Sequence, residues 1–183
     1  MKRSDALPIG VIAFRPLALK DLPLLHEWLE RPHVAEWWTP TPSLEEIEQE
    51  FGPLISHQST TRAYLVLGDE EPIGYIQSYI AKDSGDGWWP DEEDAGVWGI
   101  DQFLANAGQM GRGVGTEMVR AFVQLLFTNP DVTRIQTDPS PRNPRAIRCY
   151  EKAGFHAVGK VATPDGPAML MVIERHTAEA QLL

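Results

Sequence analysis

The chain has one cysteine, Cys149, so no internal disulfide can form and a disulfide-stapled secreted scaffold is excluded. No apolar run approaches the ~20 residues that a membrane helix needs. The opening Met-Lys-Arg-Ser-Asp-Ala-Leu-Pro carries two cations but neither the apolar stretch nor the small-residue cleavage site of a signal peptide. We therefore expect a cytoplasmic protein that engages no membrane. Positive charge is also scarce: 16 Lys and Arg stand against 26 Asp and Glu, a formal net charge of −10. A field of that sign repels nucleic acid and attracts cations, so no nucleic-acid partner is expected; it also serves plain solubility. The five histidines (His26, His33, His57, His156, His176) show no metal-ligand spacing, and no metal is assigned. Repeats, low-complexity tracts and linkers are missing, so residues 1–183 read as a single domain long enough for a full core.

The acids that are present are unevenly placed. Glu45, Glu46, Glu48 and Glu50 fit the solvated face and first turn of a helix capped by Ser43. Asp83, Asp86, Asp91, Glu92, Glu93 and Asp94 instead share twelve residues with Gly85, Gly87, Trp88, Trp89 and Pro90. Carboxylates interleaved with aromatic faces suit a polycationic, polyhydroxylated ligand.

Periodicity predicts a strand over 9–15 and a helix over 19–30 with Leu19, Leu22, Leu25, Trp28 and Leu29 on one face, ended by Pro32. A connection over 33–38 leads to a short helix near 43–51. Two strands, 63–67 and 73–80, flank a hairpin signal at Gly68-Asp-Glu-Glu-Pro. Beyond the acidic loop come a strand over 97–104, a helix over 116–127, a strand near 133–138, a helix over 144–153 stopped by Gly154, and strands over 155–162 and 168–174 with a Pro164-Asp-Gly-Pro turn between them. The order is mixed α/β.

The segment Gln109-Met-Gly111-Arg-Gly113-Val-Gly115-Thr116 follows a strand and opens a helix. Its glycines let successive N–H groups converge, and the helix start adds positive partial charge, which suits a phosphate; Arg112 adds a cation. No Gly-Lys-Ser/Thr follows, and the turn lies past the middle of the chain, so Walker and Rossmann nucleotide sites are disfavoured. Taken alone, the pattern also fits a tight strand-to-helix turn.

The stretch Asn143-Pro-Arg-Ala146-Ile-Arg-Cys-Tyr150-Glu-Lys-Ala-Gly154-Phe155, about thirty residues beyond that turn, resembles the signature of the GNAT superfamily of N-acetyltransferases. The resemblance implies an α/β (α+β) fold: a single GNAT-type domain with a twisted mixed sheet of about seven strands, splayed at the centre and flanked by about four helices. It implies acetyl-CoA as co-substrate, held by Gln102, Phe103, Leu104, Met110, Gly111, Arg112, Gly113, Val114, Gly115, Thr116, Asn143 and Ala146. Met110 departs from the family, which often has Gln or Arg there.

Segments spread over residues 12–175, among them Val34-Ala-Glu-Trp-Trp38, Ser84-Gly-Asp-Gly-Trp-Trp89, Gly99-Ile-Asp-Gln-Phe-Leu-Ala-Asn106 and Ile135-Gln-Thr-Asp-Pro-Ser-Pro141, are similar to those of aminoglycoside 6′-N-acetyltransferases. That likeness implies transfer of acetyl to the 6′-amine of an aminoglycoside and resistance to the antibiotic. Asp101 is the implied base and amine-binding group, and Tyr150 the implied acid at the leaving thiolate. Trp38, Asp86, Trp88, Asp138 and Asp165 are the further substrate contacts. A backbone N–H in 102–104 is the donor to the thioester oxygen. Cys149 reads as a core residue rather than a nucleophile. A monomer is expected. An acetyltransferase of another amine (a siderophore hydroxylamine, a polyamine or a protein N-terminus) shares the cofactor motifs but needs no acidic tryptophan loop. A non-catalytic CoA-binding or antibiotic-binding protein would tolerate loss of Asp101 and Tyr150, and both are present.

Overall fold

A computed structural model describes residues 10–38 and 43–176. In chain order it contains β1 (Ile12–Pro16), a 3-10 turn over Leu19–Asp21, α1 (Leu22–Leu29), α2 (Pro32–Ala35), α3 (Leu44–Ile55), β2 (Arg62–Gly68), β3 (Glu71–Ile80), β4 (Val97–Leu104), α4 (Val114–Phe127), β5 (Arg134–Thr137), α5 (Pro144–Ala153), β6 (His156–Thr163) and β7 (Gly166–Glu174). The strands form one sheet ordered β1-β2-β3-β4-β5-β7-β6. Every neighbouring pair is antiparallel except β4 and β5. The sheet buries both faces. Ile76, Ile100, Ile135 and Ile173 meet Met118, Val119 and Phe122 of α4 on one side. Leu65, Tyr75 and Phe103 meet Leu22, Leu25 and Trp28 of α1 and Ile47 and Phe51 of α3 on the other.

β4 and β5 are in register only at Val97–Arg134, Trp98–Ile135 and Gly99–Gln136. Beyond that, β4 runs on for five residues while β5 ends at Thr137. The expected splay of the sheet's middle is therefore present, and Asp101 lies just past its branch point.

Five helices, one of them the four-residue α2, flank the sheet among the described residues, in keeping with the expected number of about four. The element boundaries need four corrections. Leu19 does not face the core; it is 65% exposed, because the segment opens as a 3-10 turn. The buried Asp21 carboxylate fixes that turn, accepting from both Arg15 guanidinium N–H groups at 2.9 Å and from Ala18 N at 2.9 Å. Pro32 does not stop α1, which already ends at Leu29; it opens α2, where its missing N–H costs nothing. The helix near 43–51 continues to Ile55 with Pro53 inside it, started by a capping box in which Ser43 and Glu46 exchange hydrogen bonds. The expected first strand begins at Ile12, and Ile9 lies outside the described residues.

Gly99 is among the glycines required by close approach. A Cβ on Gly99 would stand 2.0 Å from Cζ of Tyr79, whose ring lies across β4. Gly99→Ala is expected to destabilise the fold by about 1–3 kcal/mol in urea unfolding, as overpacking does. Tyr79→Ala in the same chain should recover part of the loss, and a Gly99→Ala protein as stable as the parent would contradict this packing.

Candidate active site

A cavity of about 300 Å³ opens where β4 leaves β5. Gln102, Phe103 and Leu104 form its β4 wall, and Met110, Gly111, Gly113, Gly115 and Thr116 its glycine-turn wall. Asn143, Ala146 and Cys149 of the α5 segment face them. Gly111 and Gly113 have φ of 73° and 87°, values that favour glycine, and Gly113 is the residue from which α4 starts. The helix thus begins two residues before the sequence suggests, and its free N–H groups sit at the cavity. Gly115 lies against α5, where a Cβ would meet Cys149 Sγ at 3.4 Å, an ordinary contact.

All the expected cofactor residues line this cavity except two. Arg112 is exposed, and Val114 turns its side chain into the core, which leaves its backbone as the part near the turn. Three cations not singled out in the sequence line it as well: Arg145, Arg148 and Lys152. Their spacing of three and four residues places them on one face of α5, a signal that the sequence did contain. Arg145 also donates to Met110 Sδ at 3.3 Å. His33, which has no sequence signal, sets its Nε2 3.0 Å from the Leu104 carbonyl and joins α2 to the end of β4. Cys149 is half-buried on the cavity wall rather than in the core, and burial pushes its thiol up, away from the thiolate.

The signature on α5 has a local cause. Asn143 Oδ1 accepts from Ala146 N at 3.0 Å and caps the helix, and Gly154, at φ 105°, ends it. Between these caps Tyr150 is buried, with its phenol beside Thr137 of β5 and Gln102 of β4. It bridges the two splayed strands. Burial pushes its phenol well above the ordinary value, which keeps it protonated at neutral pH.

Asp101, from β4, and Asp138, just beyond β5, stand on either side of the splay. Burial pushes the Asp101 carboxyl up to about 6; the hydrogen bond from Gln77 works against that rise, and the charge of Asp165 adds to it. Burial also pushes Asp138 up, to about 7, with Asp101 and Asp165 adding like-charge repulsion. Asp165 reaches the cluster from the exposed β6–β7 turn. The structure therefore brings three of the expected carboxylates together, and among the described residues no cation is recorded acting on Asp101 or Asp138, an arrangement that attracts a polycation.

The acidic loop splits in two. Glu92 pairs with Arg134 at 2.7 Å, and Asp94 accepts from Gly96 N at 2.7 Å, so these acids anchor the loop to β5 and β4. Asp86 is exposed at φ 50°, and Trp88 is half-buried against Trp89 with ring centroids 6.2 Å apart. Trp89 donates to the Tyr79 hydroxyl at 3.3 Å, which ties the loop to β3. Gly87 lies near Pro164, so Asp86 and Trp88 border the turn that carries Asp165. Trp38 is apart from them: it lines the cofactor cavity and meets Tyr75 and Phe103 edge-on.

Comparison with known proteins agrees with this geometry. A family model described as an acetyltransferase (GNAT) domain matches residues 18–163. The chain is 53% identical over 171 residues to aminoglycoside N(6′)-acetyltransferase type 1 of Klebsiella pneumoniae, covering 92% of this chain and 85% of the relative. It superimposes on aminoglycoside acetyltransferase AAC(6′)-Ib in complex with coenzyme A and kanamycin with a TM-score of 0.91 at 52% identity, over 94% of this chain and 100% of the other. The AAC(6′)-Ib complex with paromomycin and acetyl-CoA gives 0.90 at 53% identity, over 93% and 97%. The chain belongs to the GNAT acetyltransferases and, within them, to the family of aminoglycoside 6′-N-acetyltransferases.

Proposed function

We propose that this acetyl-CoA-dependent aminoglycoside 6′-N-acetyltransferase, a resistance enzyme, joins its two substrates at the splay and transfers acetyl directly, with Asp101 as base. The observation that carries the proposal is the position of Asp101: it follows the last β4–β5 pair, between the glycine-turn cavity and the carboxylates Asp138 and Asp165. The glycine turn and the α5 cations suit the phosphates of acetyl-CoA, and α4 adds its dipole. The free edge of β4 at 102–104 supplies backbone groups to the pantetheine arm and to the thioester oxygen. Asp138, Asp165, Asp86 and Trp88 gather the ammonium groups and sugar rings of the antibiotic.

The 6′-amine attacks as the neutral form. An alkyl ammonium titrates near 10 and an ordinary aspartate near 4, a mismatch of about six units. Burial of Asp101 narrows it to about four, so the carboxylate both orients the ammonium and accepts its proton, directly or through water. The nitrogen adds to the thioester carbonyl, the carbon–sulfur bond breaks, the leaving thiolate takes the Tyr150 phenolic proton, and the proton that the nitrogen sheds on becoming an amide restores the phenol through water. Every group in this scheme comes from one chain, consistent with a monomer working in the cytoplasm, where acetyl-CoA is made; no nucleic acid or membrane takes part. Among the described residues, no helix is long and apolar enough to cross a membrane.

Asp101→Asn is expected to lower kcat by about 10²–10⁴-fold while leaving acetyl-CoA affinity nearly intact, measured by thiol release and calorimetry. Equal turnover would sink the base assignment. In the parent enzyme the base must be ionised, so kcat/KM should rise with pH through about 6 and then level, until other groups titrate. A substrate screen with product regiochemistry by NMR should show kanamycin-type antibiotics modified at the 6′-amine in preference to spermidine and peptides. Acetylation of an antibiotic that lacks that amine would contradict the assignment.

A further inference from the structure

The sequence assigns Tyr75 and Gln77 no role, yet they lead to the reacting carboxylate. The β3–β4 register sets Gln77 opposite Asp101 and Tyr75 opposite Phe103. The Tyr75 hydroxyl donates to Gln77 Oε1 at 2.6 Å, and Gln77 Nε2 donates to Asp101 Oδ2 at 2.9 Å. Tyr75 is wholly buried. Its ring stacks on Phe103 at 5.5 Å and is met edge-on by Trp38 and Phe51, each at 5.7 Å. A ring held on three sides keeps its hydroxyl at one point. Burial, with the charges of Asp101 and Glu50, pushes that phenol far up, so it stays a donor. A donor aimed at Oε1 fixes which way the Gln77 amide faces, since the opposite orientation would set an amide oxygen against a carboxylate.

We propose that Tyr75 and Gln77 form a positioning relay that holds Asp101 in one orientation and favours its ionised form, and so sets the pH at which the enzyme becomes active. The proposal rests on Asp101 being the base. The groups facing Asp101 are Gln77 and Tyr79 from β3, Asp138 beyond β5, Tyr150 from α5 and Asp165 from the β6–β7 turn, with Glu50 of α3 behind Tyr75. None of them is a cation. Burial and the charge of Asp165 oppose the charge on Asp101, and a neutral amide offsets part of that opposition. A neutral donor has a second consequence. An arginine or lysine at this point would neutralise the carboxylate and compete with the substrate ammonium, whereas an amide stabilises the charge and leaves it available.

Two variants test the relay. Gln77→Met removes the donor at similar length, and Tyr75→Phe removes the hydroxyl alone. The Asp101 carboxyl is followed by ¹³C NMR titration, with its resonance assigned through Asp101→Asn, and kcat/KM is measured from pH 5 to 9. We expect the Asp101 midpoint to rise by about one unit in Gln77→Met, and by less but in the same direction in Tyr75→Phe. The acid limb of kcat/KM should move up in step, roughly a tenfold loss below the midpoint that shrinks as pH rises. A merely structural role would lower the rate equally at every pH. An Asp101 midpoint unmoved in both variants overturns the relay. A midpoint that moves while the acid limb stays in place upholds the relay and overturns the base assignment.

Discussion

The parting of β4 and β5 is the constraint on which the rest of the structure depends. Two parallel strands in a buried sheet would ordinarily stay hydrogen-bonded along their common length, since an unpaired backbone group in the interior is costly. Here pairing stops after Gly99–Gln136, and the second half of β4 is left with a free edge. Two features hold the strands apart. Tyr150 stands between them, touching Thr137 on one and Gln102 on the other. Beyond Thr137 the chain turns away at Pro139, whose carbonyl accepts from Met169 N. The cavity, the free backbone at 102–104 and the facing carboxylates all arise from this opening, so the glycine-lined cavity and the carboxylate cluster are two sides of one defect in the sheet.

The opening also concentrates charge that the fold would be more stable without. Asp101 and Asp138 both titrate above their unfolded values, so the native state binds more protons than the unfolded chain from about pH 4 up to about 7. Stability contributed by these two groups is therefore lost as pH rises through that window. The same unpaired charge is what the proposed substrate site draws on. The aromatic cluster of Tyr75, Phe51, Phe103 and Trp38 lies directly behind it, and its burial offsets the repulsion in front.

The acidic loop shows that composition and use are separate matters. Six acids in a short span read as a single cation trap, yet Glu92 and Asp94 are spent on Arg134 and the Gly96 backbone. These two hold the loop down, and the Trp89–Tyr79 hydrogen bond anchors its middle. What remains exposed, with Asp86 and Trp88 beside the Asp165 turn, is a smaller surface placed with more definition than a free loop would allow.

Local signals were enough for much of this protein. The two-residue and helical periodicities mark all seven strands and the long helices. The glycine turn and the capped Asn143–Gly154 helix carry the cofactor side and the family, because caps and positive-φ glycines are properties of short segments. Tyr150 falls in that helix, while Asp101 and Asp138 stand out only because their segments, 99–106 and 135–141, resemble the aminoglycoside enzymes. The helix boundaries that went astray, at Leu19, Pro32 and Ile55, turn on partners distant in sequence or on a proline that suits a helix start as well as a stop. Gln77 and Tyr75 lie in a segment, residues 71–79, that resembles the family, but nothing local gives them a role. In sequence they are two polar tips in an apolar strand, 24 residues from Asp101 in the case of Gln77. Only the β3–β4 register sets them against it, and a register shifted by one residue would point them to the opposite face. The shift in the Asp101 carboxyl likewise arises from burial and from Asp165, far along the chain, both products of the assembled sheet.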